Sequence, residues 1–300
     1  MTTALHLQPL RQEKEMSGFD AQAYKSTTRD QWNSVAQKWD EWGPLLDRWL
    51  GPPTEALLDM CAVGPGSHVL HVAGGSGHDA VFSARRTGPT GKVLSTDFSE
   101  TLTALAEKRF ANAGLRHARA ALMDGESIEV QDEKFDVVIS RVGLIFFPDQ
   151  DRSMAQQVAV LKPGGRIGAL VYATPQECRF FSDPVNIIRR HAALPPPMPG
   201  QPGPFSLGAP GAIEALFQRA GLSEIETRKV DAPVILGSAA ECLRFEQESF
   251  GALHQMLSKL DEPARQAAWD EVRTALEAFE TDRGFEGPCV MIAAVGRKVG

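Results

Sequence analysis

The chain has 300 residues, 43% hydrophobic and 23% charged, with a formal net charge of −7. That length suits one α/β domain with insertions and is ample for a sizeable core, while the acidic balance, with no run of Lys and Arg, excludes a nucleic-acid binder that relies on a basic surface. The four cysteines, Cys61, Cys178, Cys242 and Cys289, form no C-x-x-C pair, Met1 to Glu15 holds no apolar signal core and no stretch is long enough to span a bilayer, so neither disulfides nor a zinc site is expected and a cytoplasmic setting is.

Residues 1–64 are expected to form an N-terminal helical lid, loose over the first residues, to about residue 20. Trp32, Val35, Ala36 and Trp39 recur at i, i+3, i+4, i+7, the spacing of one helix face. Tyr24, Trp42 and Trp49 add aromatic surface that suits packing on a core and covering a ligand equally. Gly51-Pro52-Pro53 should break the chain, with Thr54 capping a helix that carries Leu57, Leu58 and Met60.

Residues 65–172 alternate strand and helix. His68 to Val72 is a short strand running into Ala73-Gly74-Gly75-Ser76-Gly77, and Ala80, Val81, Phe82 and Ala84 follow on a helical face. A glycine turn at the carboxyl end of a buried parallel strand lets backbone approach a ligand, and the next helix presents free N–H groups there. Gly75-Ser76-Gly77-His78-Asp79-Ala80 satisfies G-x-G-x-x-G/A, which fits either a dinucleotide or S-adenosylmethionine. Lys92 to Asp97 is a second strand ending in an acid, about 20 residues past the turn, where a carboxylate can accept from both ribose hydroxyls. Leu102, Leu105 and Phe110 mark a helix closed by Gly114. Ala118 to Leu122 is a third strand, followed by Met123-Asp124-Gly125-Glu126. There Asp124 can accept from an adenine amino group with Met123 and Phe98 flanking the ring, although the segment serves equally as a helix cap. Phe135 to Ser140 is nearly all apolar, as a strand covered on both faces should be. Asp151 should cap a helix ended by Lys162-Pro163-Gly164-Gly165, and Arg166 to Tyr172 is the next strand.

This alternation predicts a doubly wound, mostly parallel sheet. Residues 173–210 form a proline-rich cap, with Phe180, Phe181, Val185, Ile187 and Ile188 as apolar surface to bury. Residues 211–300 finish the sheet through a helix with Ile213, Leu216 and Phe217, a strand from Ser223 to Val230 and a closing strand from Pro288 to Val295. A two-helix insertion at about residues 238–283, opened by the capping box of Ser238 and Glu241, separates those strands.

The glycine turn, Asp97, Asp124-Gly125-Glu126, the Phe135–Ser140 strand and Leu161-Lys162-Pro163-Gly164-Gly165 occur in an order and spacing that resembles the class I S-adenosylmethionine-dependent methyltransferases. The chain is most similar to the branch holding the ubiquinone/menaquinone-biosynthesis C-methyltransferases and many natural-product methyltransferases. The resemblance covers residues 65–172 well and the late strands in outline. It implies a Rossmann-like methyltransferase fold with a seven-stranded sheet, S-adenosylmethionine as cofactor, and methyl transfer to a small molecule such as a phenol, a quinone-like ring, an amine or a natural-product scaffold. Carried over by position, Ala73, Gly74, Gly75 and Gly77 wrap the methionine part, Asp97 and Phe98 meet the ribose and ring, Met123, Asp124 and Gly125 read the adenine, and Arg141 lines the sulfonium pocket. His71 stands where the family has Asp or Glu, and Ala73 where it has its first glycine. Another acid then replaces the missing carboxylate, or binding is weakened, or the His71 ring itself meets the methionine carboxylate.

Methyl transfer is an in-line displacement that calls for alignment and exclusion of water, and for a base only if the acceptor must lose a proton. His78, one residue past the turn, and Tyr172, at the end of the fifth strand, are the catalytic candidates. His191, His254, Glu248 and Arg189-Arg190 lie further off, in cap segments. No metal-ligand cluster and no G-x-S-x-G elbow is present. A non-methylating protein of the same fold is the alternative that His71 keeps open. An NAD-dependent oxidoreductase is disfavoured by the Pro-Gly-Gly turn, the split late strands and the lack of a Tyr-x-x-x-Lys pair. The expected partner is a small-molecule substrate, without nucleic acid or membrane span, with a homodimer left open.

Overall fold

The computed structural model describes residues 19–131, 133–198 and 200–300, so most of the loose end expected up to about residue 20 lies outside the described residues. The first helix, α1 (Ala21–Glu41), turns Val35, Ala36 and Trp39 inward, as their spacing requires. The Asp20 carboxylate accepts from Ala23 N at 2.9 Å and closes its N-terminus. The next helix, α2 (Gly43–Met60), runs through Pro52 and Pro53 without a break, so the expected interruption and the Thr54 cap do not occur. Instead the Thr54 hydroxyl donates to Leu50 O at 2.6 Å. Two interior prolines cost a helix about 3 kcal/mol each, but Leu45, Leu46, Trp49, Leu50, Leu57 and Leu58 are all buried on this helix, at about 1.5–3 kcal/mol apiece. Burial wins.

The alternating core follows as β1 (His68–Val72), α3 (His78–Thr87), β2 (Lys92–Asp97), α4 (Glu100–Asn112), β3 (Ala118–Leu122), β4 (Phe135–Arg141), α5 (Gln150–Val160) and β5 (Leu161–Tyr172). Asp149 rather than Asp151 caps α5, accepting from Arg152 N at 3.1 Å. β5 begins at Leu161 and carries Pro163-Gly164-Gly165 within it, where its register with β4 shifts between Phe135 and Val137. Such an irregularity tolerates a residue without a ladder donor.

The proline-rich segment holds α6 (Arg179–His191), which buries Phe180, Phe181 and Ile188. Then come α7 (Ala212–Arg219), β6 (Leu222–Asp231), β7 (Val234–Leu236), α8 (Ala239–Ser249), α9 (Gly251–Leu257), α10 (Glu262–Glu277), β8 (Glu280–Thr281), β9 (Gly284–Gly287) and β10 (Val290–Lys298). The insertion therefore has three helices where the pattern predicts two. The first breaks at Phe250, whose backbone is non-helical (φ −113, ψ 82). A Cβ on Gly251 would sit 3.2 Å from Gln31 O of α1, so the break lets α9 start hard against the lid.

Seven strands form one sheet in the order β3-β2-β1-β4-β5-β10-β6, and β7, β9 and β8 form a small second one. Neighbours in the large sheet are parallel except where β10 runs antiparallel to both β5 and β6. This is the doubly wound, mostly parallel Rossmann-like sheet that the sequence predicts. Strand order reverses between β1 and β4, which opens a crevice at their carboxyl ends. All four cysteines are buried and free. No described helix is long and apolar enough to cross a membrane.

Candidate active site

The turn after β1 is bent by three left-handed residues, Ala73 (φ +55), Gly75 (φ +54) and Gly77 (φ +80). A side chain at Gly74 would displace the Ser95 hydroxyl on β2, so glycine here serves close approach rather than torsion. Asp97, at the end of β2, is pinned by two backbone donors. Gly75 N–H reaches its Oδ2 at 3.0 Å and Ser99 N–H its Oδ1 at 2.9 Å. Burial works against its charge more strongly than these donors support it and pushes its pKa up to about 6.

Past β3, Asp124 Oδ1 accepts from Glu126 N–H at 2.9 Å. A side chain at Gly125 would run into Phe147 and Val72. Lys25 reaches over from α1 and donates to Asp124 Oδ2 and to Glu126 Oε2, each at 2.7 Å. The lid helix is thereby tied to the edge that carries the expected adenine reader.

A third cluster lies between β1, α3 and β4. His71 is fully buried on β1. Its Nδ1 lies 2.9 Å from Asp79 Oδ2 and its Nε2 2.8 Å from Ser83 Oγ, so Nδ1–H donates to the carboxylate while Nε2 pairs with the hydroxyl. Arg141 Nε is 3.9 Å from the same Asp79 oxygen. The outer atoms of this cluster, Asp79 Oδ1 and Arg141 Nη1, are buried without any hydrogen-bond partner, as are the hydroxyls of Ser76 and Ser140. Burial alone would raise the pKa of Asp79, yet His71 and Arg141 hold it down to about 2, so the carboxylate stays charged.

These groups face one cavity of about 360 Å³ beside the β1–β4 crevice. At one end it is lined by Ala73, Gly74, Gly75, Ser76, Asp79, Asp97, Phe98, Met123, Asp124, Gly125 and Arg141. At the other end stand Trp32, Val35, Trp39, Phe146, Tyr172, Phe181, Phe250 and Met256. Trp32 packs edge-on against Trp39 at 5.4 Å and against Phe146 at 6.2 Å, so α1 meets the core across the cavity. Trp42 does not reach it and gives its indole N–H to Glu248 Oε2 at 2.9 Å.

Three of the residues expected at the site lie elsewhere. His71 sits behind Asp79. Gly77 lies beneath the turn, where a Cβ would come 3.0 Å from Ala106 Cβ, and it serves the packing of α4. His78 opens α3 with its ring turned away from the cavity. Its Nδ1 lies 2.9 Å from Asp47 Oδ1 and its Nε2 accepts from Arg109 Nη2 at 2.6 Å. It borders a separate outer pocket with Asp40, Asp47, Arg85, Lys108 and Arg109. A residue at the first position of a helix can face either side of it, and sequence adjacency to the turn does not say which. His78 has no reach to a reacting atom here, and burial lowers its pKa. Tyr172 does line the cavity. Burial holds its phenol well above the ordinary value, so it stays protonated and can donate a hydrogen bond but not act as a base. The remaining cap candidates are engaged outside the cavity: His191 with Glu271 at 2.8 Å and His254 with Gln247 O at 2.6 Å. Sequence reasoning missed Lys25 and Asp79. The first had no visible partner across 99 residues, and the second was one letter inside the glycine motif.

Comparison with known proteins adds the following. The pattern of the ubiE/COQ5 methyltransferase family matches residues 23–190. The ubiquinone/menaquinone biosynthesis C-methyltransferase UbiE of Ralstonia pickettii is 36% identical over 142 residues, 47% of this chain and 58% of that enzyme. The chain thus spans little more than half the length of that relative. The structure resembles phosphoethanolamine N-methyltransferase 2 of Haemonchus contortus, solved with S-adenosylhomocysteine, at a TM-score of 0.55 and 17% identity, covering 91% of this chain and 60% of that one. It also resembles the cyclase SpnF at a TM-score of 0.51 and 18% identity, covering 89% and 98%. At such identities the likeness is one of fold, and that fold hosts more than one chemistry.

Proposed function

The chain belongs to the ubiE/COQ5 methyltransferase family, and from that premise we propose that it transfers a methyl group from S-adenosylmethionine to a flat, largely apolar small molecule held under the α1 lid. The cofactor is S-adenosylmethionine, which when bound supplies an electrophilic methyl group on a sulfonium. The observation that carries the reading is Asp97, buried at the end of β2 with both oxygens aimed by the Gly75 and Ser99 amides. Such a carboxylate accepts from ribose hydroxyls. Gly74 and Gly125 both line the cavity, where the absence of a side chain lets a ligand approach the backbone.

In this reading Asp124 and the Gly125 backbone hold the adenine edge, and Met123 and Phe98 flank the ring. The acceptor end is walled by Trp32, Trp39, Phe146, Tyr172, Phe181 and Phe250. No His, Lys or carboxylate lines that end among the described residues. The chain's own work there is to exclude water, to align the acceptor for displacement, and to offer the Tyr172 hydroxyl as a hydrogen-bond donor. Aromatic faces also suit a positively charged centre. A phenol or quinone-like ring fits this aromatic wall.

Calorimetric titration with S-adenosylmethionine, with NAD as control, tests the assignment. Saturable binding of the first and not the second is expected, with Asp97→Ala abolishing it. Binding of NAD alone would overturn the reading. A screen for methyl transfer to phenolic, quinone-like and amine acceptors then separates the methylating protein from a non-methylating one of the same fold.

A further inference from the structure

We infer that Asp79, held in place by His71, and Arg141 together grip the amino-acid end of the cofactor. The inference rests on the cofactor reading above and deepens it.

Two orphaned atoms carry the argument. Asp79 Oδ1 and Arg141 Nη1 are buried, lack any partner, and belong to residues that line the cavity. Buried charged groups need partners, which a ligand in the cavity would supply. Their signs are opposite. One is an anionic acceptor, the other a cationic donor, and they sit side by side, with Arg141 Nε 3.9 Å from Asp79 Oδ2. A zwitterionic α-amino acid group, with one ammonium and one carboxylate, satisfies both at once. A neutral or singly charged ligand satisfies only one. The Ser76 hydroxyl, also unpartnered and beside the turn, adds a further donor.

His71 fixes the orientation of the Asp79 carboxylate. Its side chain spans from β1 to the first turn of α3, where Nδ1–H takes Asp79 Oδ2 at 2.9 Å while Ser83 fixes the other nitrogen at 2.8 Å. With Oδ2 engaged, Oδ1 is left without a partner on a residue that lines the cavity. His71 has no access of its own to the cavity. It is a positioning residue, acting through Asp79 in the way an outer-shell partner orients a ligand.

The test compares two ligands by calorimetry. S-adenosylhomocysteine carries the ammonium and carboxylate, and 5′-methylthioadenosine keeps adenine, ribose and thioether but lacks both. The unmodified protein should bind the first much the tighter. Asp79→Asn should weaken S-adenosylhomocysteine about 10- to 100-fold, the scale of a charge-assisted hydrogen bond, and leave 5′-methylthioadenosine nearly unchanged. That retained binding also shows that the variant is folded. His71→Leu should show the same selective loss. His71→Asn, which keeps an N–H near the place of Nδ1, should restore most of it. Equal weakening of both ligands in Asp79→Asn, or equal affinity of the unmodified protein for the two, overturns the inference while the cofactor reading stands. Failure of both ligands to bind the unmodified protein overturns the cofactor reading and this inference with it.

Discussion

Asp97 carries a pH dependence whose two parts have opposite signs. In the folded chain its pKa stands at about 6, against about 3.9 for an ordinary aspartate. Between those values the folded form keeps a proton that the unfolded chain has lost. Stability without cofactor therefore falls as pH rises through this window, by roughly 3 kcal/mol. Cofactor binding needs the ionised carboxylate to accept hydroxyls and gains over the same range. Affinity for S-adenosylhomocysteine should drop several-fold between about pH 7 and about pH 5, and Asp97→Asn should bind weakly at both. Calorimetry at the two pH values checks this. Ala73 gives a second expectation. Its φ of +55 is strained for any residue with a Cβ. Ala73→Gly should stabilise the fold by about 0.5 kcal/mol, the relief of strain being partly offset by the entropy of glycine, as read from the urea midpoint. At this scale the sequence discloses the turn, Asp97 and Asp124, because fixed offsets from a strand end define them. It does not disclose Asp79, since an acid in the first turn of a helix looks like an ordinary partner of the helix dipole.

Helix α1 borders the cavity through two different kinds of contact. Apolar packing of Trp32 and Trp39 lies on the acceptor side, and Lys25 bonded to Asp124 and Glu126 lies on the adenine side. The Lys25 side chain is 22% exposed, so the contact is open to salt. Lys25→Met should speed release of S-adenosylhomocysteine severalfold in stopped-flow measurements and remove its salt dependence, while changing stability by under about 1 kcal/mol. Helix and strand identities were legible wherever periodicity was strong, as in α1, β2, β3 and β4. They failed where punctuation residues met burial. Pro52 and Pro53 lie inside α2, and Pro163-Gly164-Gly165 inside β5, because packing on the sheet outweighs the local preference. The break at Phe250 was invisible, since it answers to α1 lying against Gly251.

At the scale of the molecule, the cofactor end of the cavity comes chiefly from one unbroken run, from the turn after β1 to the end of β4. That continuity is why it could be read from spacing. The acceptor wall gathers Trp39, Phe146, Phe181 and Phe250 from α1, the turn after β4, α6 and the α8–α9 break. Residues that meet only through tertiary folding leave no local pattern, so sequence could name a cap there but not its lining.

The antiparallel placement of β10 between β5 and β6 has a consequence for biosynthesis. While the chain leaves the ribosome, β1 to β4 can pair and the nucleotide half can take shape early. Strands β5 and β6 cannot become neighbours through β10 until residues 290–298 have emerged. Until then β5 keeps one row of backbone donors and acceptors unpaired, an open edge that invites pairing with another nascent chain. The C-terminal half of the sheet is thus more exposed to misassembly during translation than the half that forms first.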